Sequence, residues 1–102
     1  MTDKMNWFLL QTKSRQEQRA AENLDRQSVR SFCPMIMVEK ISRSRRVESL
    51  EVLFPGYLFV QLGETSVSAT SVRSTRGVSH FVTTAGAPLK VPESLIDQLR
   101  ER

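Results

Sequence analysis

Gln16, Arg19, Asn23, Arg26 and Arg30 recur at spacings of three and four residues. On an α-helix such positions share one face, and here that face is polar and mostly cationic. A row of guanidinium groups suits a surface that meets phosphates, and the charge count agrees. Residues 13–46 hold nine Lys or Arg and four acids, whereas the rest of the chain holds six and seven. The excess behind the net charge of +4 therefore lies in one third of the sequence. The competing reading is a merely solvated helix face.

No other reactive residues form a set. His80 is the only histidine; between Ser79 and Phe81 on a strand, it reads as structural, with no nucleophile or metal-ligand group at a useful spacing. Cys33 stands alone among Phe32, Pro34, Met35 and Ile36, so it forms neither an internal disulfide nor a multi-cysteine metal site and reads as a buried thiol. The four glycines are too scattered for a phosphate-cradling loop, and the acids read as surface partners of nearby cations. We therefore expect no enzyme, no metal and no cofactor; a small hydrolase using Arg19 and Asn23 is the remaining catalytic alternative. No apolar run approaches the ~20 residues that span a bilayer. The expectation is a monomeric cytoplasmic protein, with the 102 residues forming one domain.

The elements that must carry these residues follow from periodicity. Residues 7–12 alternate as a strand, with Trp7, Leu9 and Gln11 on one side and Phe8, Leu10 and Thr12 on the other. Ser14 and Glu17 match a capping box, so a helix should start there and run to residue 27 or 28, with Ala20, Ala21, Leu24 and Gln27 turned inward. Residues 31–41 form a second strand with Pro34 at an edge or bulge near its start. The basic segment 42–46 makes a loop or hairpin tip, and residues 47–52 return. From Thr65 a weak helix leads to Gly77, a strand covers 78–83, Gly86-Ala87-Pro88 turns, and Pro92 opens a final helix that runs to the end. The order β-α-β-β-α-β plus a C-terminal helix predicts an α+β, ferredoxin-like antiparallel sheet with helices on one face.

The segment Leu53-Phe54-Pro55-Gly56-Tyr57-Leu58-Phe59-Val60-Gln61-Leu62 is the centre of this arrangement. Leu58, Val60 and Leu62 fall on one strand face, Tyr57 and Phe59 on the other, and both faces are apolar. Helices on one side satisfy only one of them, so the aromatic side must meet more of this chain or a partner. An RNA-binding module that stacks bases on Tyr57, Phe59 and Phe81 is the alternative use of that side. Against it, the Gly-Phe-Gly-Phe type of signature is missing, and the cations gather on a helix and a hairpin tip instead. Separate basic and apolar surfaces imply two partners, one polyanionic and one protein.

Trp7-Phe8-Leu9-Leu10, Glu39-Lys40-Ile41, Leu53-Phe54-Pro55-Gly56-Tyr57-Leu58-Phe59-Val60 and Thr75-Arg76-Gly77-Val78-Ser79-His80-Phe81-Val82 resemble, in order and spacing, the N-terminal (NGN) domain of the NusG family of transcription elongation factors. Pro34-Met35-Ile36, Glu39-Lys40-Ile41 and the run from Arg76 to Val82 are most similar to its RfaH antitermination branch. The resemblance implies a factor domain, residues 1–102, without the family's C-terminal KOW domain. It also implies docking on the clamp helices of the RNA polymerase β′ subunit through Phe54, Tyr57, Phe59 and Ile96. A second contact, to the β-subunit gate loop, would fall on Ser68, Ala69 and Thr70, where only Thr70 keeps the type found in the RfaH branch. Single-stranded non-template DNA would meet Lys13, Gln16, Arg19, Asn23, Arg43, Thr75 and Arg76, with Asn23 standing where that branch has histidine. The implied action is to suppress pausing.

Overall fold

The computed structural model describes residues 4–63 and 69–101. Four strands build the body of the sheet in the order β2 (Arg30–Phe32), β5 (Tyr57–Leu62), β1 (Asn6–Thr12) and β6 (Val78–Phe81), every neighbouring pair antiparallel. This is the ferredoxin-like arrangement expected from the element order. β1 is central because its two faces are both apolar. Phe8 and Leu10 join the core beneath α1 (Glu17–Asp25) and α2 (Ala69–Arg73), while Trp7 and Leu9 join a second core on the other side.

The first core contains Leu10, Ala20, Leu24, Leu58, Val60 and Val72, all fully buried. Gly77 closes it. Its φ of +95° suits glycine, and a Cβ there would stand 2.8 Å from the Ala20 backbone nitrogen, so the 75–77 turn can press onto α1 only without a side chain. The second core, Trp7, Phe59, Val91 and Ile96, is covered by α3 (Glu93–Arg100). The crossover helices thus occupy one face as expected, and the C-terminal helix takes the other. The Arg100 guanidinium lies 5.5 Å from the Trp7 ring centre and 5.4 Å from that of Phe32, a cation–π clasp that fastens α3 to the sheet.

Several elements depart from the sequence reading. The Ser14 capping box does not form: Gln16 is the N-cap and makes no side-chain cap bond. The Glu17 carboxylate, which would have completed the box, instead accepts a hydrogen bond from the Gly56 amide at 3.0 Å. α1 ends at Asp25, and Gln27 turns away to the loop before β6. The single strand expected over 31–41 is broken at Cys33-Pro34 into β2, which pairs in the main sheet, and β3 (Met35–Ser42), which pairs only with β4 (Arg45–Val52). Proline cannot donate to a ladder, and the break sends β3 and β4 out as a separate hairpin. Its two-residue turn, Arg43-Ser44, has φ of 51° and 63°, the left-handed pair that matches strand twist.

The described part of the weak helix spans only Ala69–Arg73. β6 stops at Phe81, and a small hairpin of β7 (Thr83–Thr84) and β8 (Ala87–Pro88) turns at Ala85-Gly86, one residue earlier than expected. β9 (Lys90–Val91), unforeseen in the sequence, extends the β6 side of the sheet by pairing with Trp7 and Phe8.

Candidate functional site

Two surfaces lie on opposite faces of the sheet. The first surrounds α1. The Lys13 amide donates to the Gly77 carbonyl at 2.9 Å, and the Gln16 amide donates to the Lys13 carbonyl at 3.0 Å. Further along α1, the Asn23 side-chain amide donates to the Arg76 carbonyl at 3.3 Å, while Arg26 donates to Asn23 Oδ1 at 3.2 Å. Gln27 Nε2 donates to Thr75 Oγ1 at 2.7 Å, and that hydroxyl donates to the Ser71 carbonyl at 2.9 Å. The β1–α1 loop, α1 and residues 75–77 are therefore one hydrogen-bonded unit.

This unit brings Lys13, Gln16, Arg19, Asn23, Thr75 and Arg76 together, but they are not equivalent. Lys13, Arg19 and Arg76 are exposed. Thr75 is buried, with its hydroxyl committed inside the unit, so it positions the turn and offers no side chain outward. Asn23 has both ends of its amide engaged at long distances. Arg43 belongs elsewhere: it sits at the hairpin tip, about 25 Å along an eight-residue strand from the hairpin's base. Both ion pairs among the described residues lie on that hairpin, Lys40 with Glu51 at 2.9 Å and Arg46 with Glu39 at 3.5 Å. The cations around α1 have no carboxylate partner among the described residues, so their field points into solvent.

The second surface is an open groove of about 510 Å³ lined by Leu9, Phe54, Tyr57, Phe59, Val82, Leu89, Lys90, Val91, Pro92 and Leu95. Apart from Lys90 its lining is uncharged. Phe54 is 40% exposed and Tyr57 37%, whereas Phe59 is 5% exposed and forms the floor. Phe59 stacks on Phe32 with ring centres 6.2 Å apart and meets Phe54 edge-on at 6.2 Å. Ile96 is fully buried beneath α3, which corrects its expected place on the surface; Leu95, its neighbour, lines the groove. The aromatic face therefore meets both more of this chain and open solvent. Of the residues expected to meet the gate loop, Ala69 and Thr70 are exposed at the start of α2, and Ser68 lies outside the described residues.

Glu17 links the two surfaces. It is buried at the start of α1, and its bond to Gly56 holds the Phe54–Tyr57 turn, which a further bond from the Tyr57 amide to the Phe54 carbonyl closes at 3.1 Å. Cys33 is half-buried, and desolvation, followed by the charge of Glu17, pushes its thiol above the ordinary value, which disfavours the reactive thiolate. Neither the Glu17 clamp nor the groove wall of Leu89, Val91 and Leu95 is among the features expected from the sequence. The alternation of Leu89 and Val91 about Lys90 was the available signal for that wall. His80 is exposed on edge strand β6, not held in an apolar contact, and its Nδ1 lies 2.9 Å from Ser79 Oγ.

The structure is an α+β domain with an apolar groove on one side of its sheet and, on the other, a helix flanked by exposed cations in the neighbouring loops. The family model described as "Transcription termination factor nusG" matches residues 5–100, and the chain belongs to the NusG family. It is 32% identical over 109 residues to the transcription termination/antitermination protein NusG of Halalkalibacterium halodurans, covering 94% of this chain and 61% of that protein. The Rickettsia bellii protein of the same name is 26% identical over 107 residues, with 96% and 56% covered. A solved structure described as "Domain interaction in Thermotoga maritima NusG" superposes with a TM-score of 0.60 at 26% identity, over 89% of this chain and 52% of that one. The chain thus spans about six-tenths or less of these relatives' length.

Proposed function

We propose that this domain binds RNA polymerase through the groove and the exposed non-template DNA strand through the α1 surface, and so suppresses pausing in the manner of the RfaH branch. The observation that carries this reading is the groove itself: apolar, open, and rimmed by two exposed aromatics. Exposed contiguous apolar surface of this kind marks a protein contact. Helix-in-groove docking suits its shape, so the clamp helices of the β′ subunit are the proposed occupant. The unpaired cations Lys13, Arg19 and Arg76 form the electrostatic track for a single strand, with Gln16 and Asn23 beside them. Ala69 and Thr70 are available for a lesser contact with the β-subunit gate loop.

The action is non-catalytic: bridging two parts of the polymerase favours its closed, processive state by differential binding. Base stacking on the sheet is disfavoured, because Phe59 and Phe81 are buried and only Tyr57 of that trio has substantial exposed surface. The test is binding to reconstituted elongation complexes with and without an exposed non-template strand. Affinity for both, tighter with the strand exposed, is expected; failure to bind either complex overturns the reading.

A further inference from the structure

We propose that the outer edge of β4 pairs with the same edge of a second copy of this chain, antiparallel and centred on Val47. Such pairing needs no polymerase and stands apart from the docking reading above. The β3–β4 hairpin pairs with no other strand among the described residues, and five exposed apolar side chains, Ile36, Met37, Ile41, Val47 and Leu50, lie on it. Its backbone is equally open. Ser42 and Arg45 close the two-residue turn, and from that pair the ladder bonds alternate, so Arg46, Glu48 and Leu50 turn their amides and carbonyls away from β3. An unpaired edge of this kind is a template for another strand.

Side-chain charge selects both the occupant and the register. Glu39 and Glu48 are directly opposed on one face of the hairpin, an unfavourable placement for like charges. Arg46 answers Glu39 at 3.5 Å, while the exposed Glu48 has no ion pair among the described residues. Two identical strands that pair antiparallel about a two-fold axis keep their faces aligned only when each residue meets itself or one an even number of positions away. Centred on Glu48, the pairing sets that carboxylate against its own copy. Centred on Ser49, it sets Glu48 against Leu50 and Arg46 against Val52. Centred on Val47, it sets Arg46 of each copy against Glu48 of the other, with the two Val47 side chains between these pairs. Arg46 and Glu48 both have outward backbone groups, so ladder bonds and opposite charges coincide. The same register brings the turn residue Arg43 opposite Glu51 of the other copy. The cation that Glu48 lacks within one chain is thus supplied by the second.

The test is sedimentation equilibrium of this chain without polymerase or DNA. A dimer whose fraction rises with concentration is expected of the parent. Arg46→Glu and Glu48→Lys should each weaken self-association about tenfold or more, because each sets like charges opposite one another. An equimolar mixture of the two variants should dimerise as the parent does, since every altered side chain then faces one of opposite sign. The double variant Arg46→Glu/Glu48→Lys should recover likewise. Both positions are exposed, and circular dichroism should report unchanged folds. A parent that stays monomeric up to about 1 mM overturns the proposal and leaves the edge to a strand of a different protein. Single variants that associate like the parent, or a mixture that stays monomeric, overturn it as well.

Discussion

The two faces of the sheet have equally apolar strands but different completion. Beneath α1 and α2 the core is sealed, and Leu10, Leu24, Leu58, Val60 and Val72 have no exposed surface. Beneath α3 one eight-residue helix covers Trp7 and Phe59 but stops short of Phe54 and Tyr57. The difference lies in how many elements the chain spends on each face, since strand alternation supplies apolar residues to both. It separates residues that hold the fold from those left free to bind. Leu58→Ala probes the sealed face directly. Truncating a fully buried leucine should cost about 2–5 kcal/mol of stability in urea unfolding. A loss under ~1 kcal/mol would mean that the first core is no better sealed than the second.

The Glu17 clamp tests whether the faces are linked. Glu17→Ala removes the carboxylate that holds the Gly56 amide across from α1. A loss of about 1–3 kcal/mol is expected, with faster amide exchange at Gly56. Unchanged exchange there would make the clamp incidental to the turn.

The basic surface is sharpened by contrasting body and hairpin. Arg19→Ala or Arg76→Ala should reduce discrimination among pause sequences, because these cations belong to the hydrogen-bonded unit around α1. Arg45→Ala or Arg46→Ala, on the projecting hairpin, should lower affinity evenly across sequences and reduce the salt slope by about 0.7 per lost single-strand phosphate contact. Equal, salt-insensitive binding by all four variants to single-stranded and hairpin non-template DNA would remove nucleic acid from the account.

Much of this was legible in the sequence. The period-two patterns of β1 and β5 assigned both strand faces correctly, because burial on two sides leaves apolar residues on both faces. The break at Cys33-Pro34 was only half legible: proline signalled an edge but not that the chain would leave the sheet. Ser14 misled because a capping box is a local preference, and the tertiary bond from Gly56 to Glu17 prevailed over it. His80 alternates with the buried Phe81 and so faces away from the first core on an edge strand, whereas the bulge at Ser79, which residue types do not encode, turns Val78 inward two residues before it. β9 is two residues long, too short for alternation to register.

A smaller effect concerns the thiol between the faces. Because the folded Cys33 pKa is raised, its contribution to stability is complete below the unfolded thiol value and is lost as pH rises through the folded one. Urea midpoints of the parent should therefore fall faster than those of Cys33→Ala as pH increases above about 8.5. Parallel profiles would show that Cys33 is no more desolvated than in the unfolded chain.

The most direct measurement takes Tyr57→Ala through two assays, urea unfolding and affinity for a reconstituted elongation complex. A binding loss of at least ~1–2 kcal/mol is expected, with stability changed by less than ~1 kcal/mol and binding to free DNA unaltered. Full affinity for the elongation complex together with a lowered urea midpoint would contradict it, and would place the groove rim among the residues that merely hold the fold.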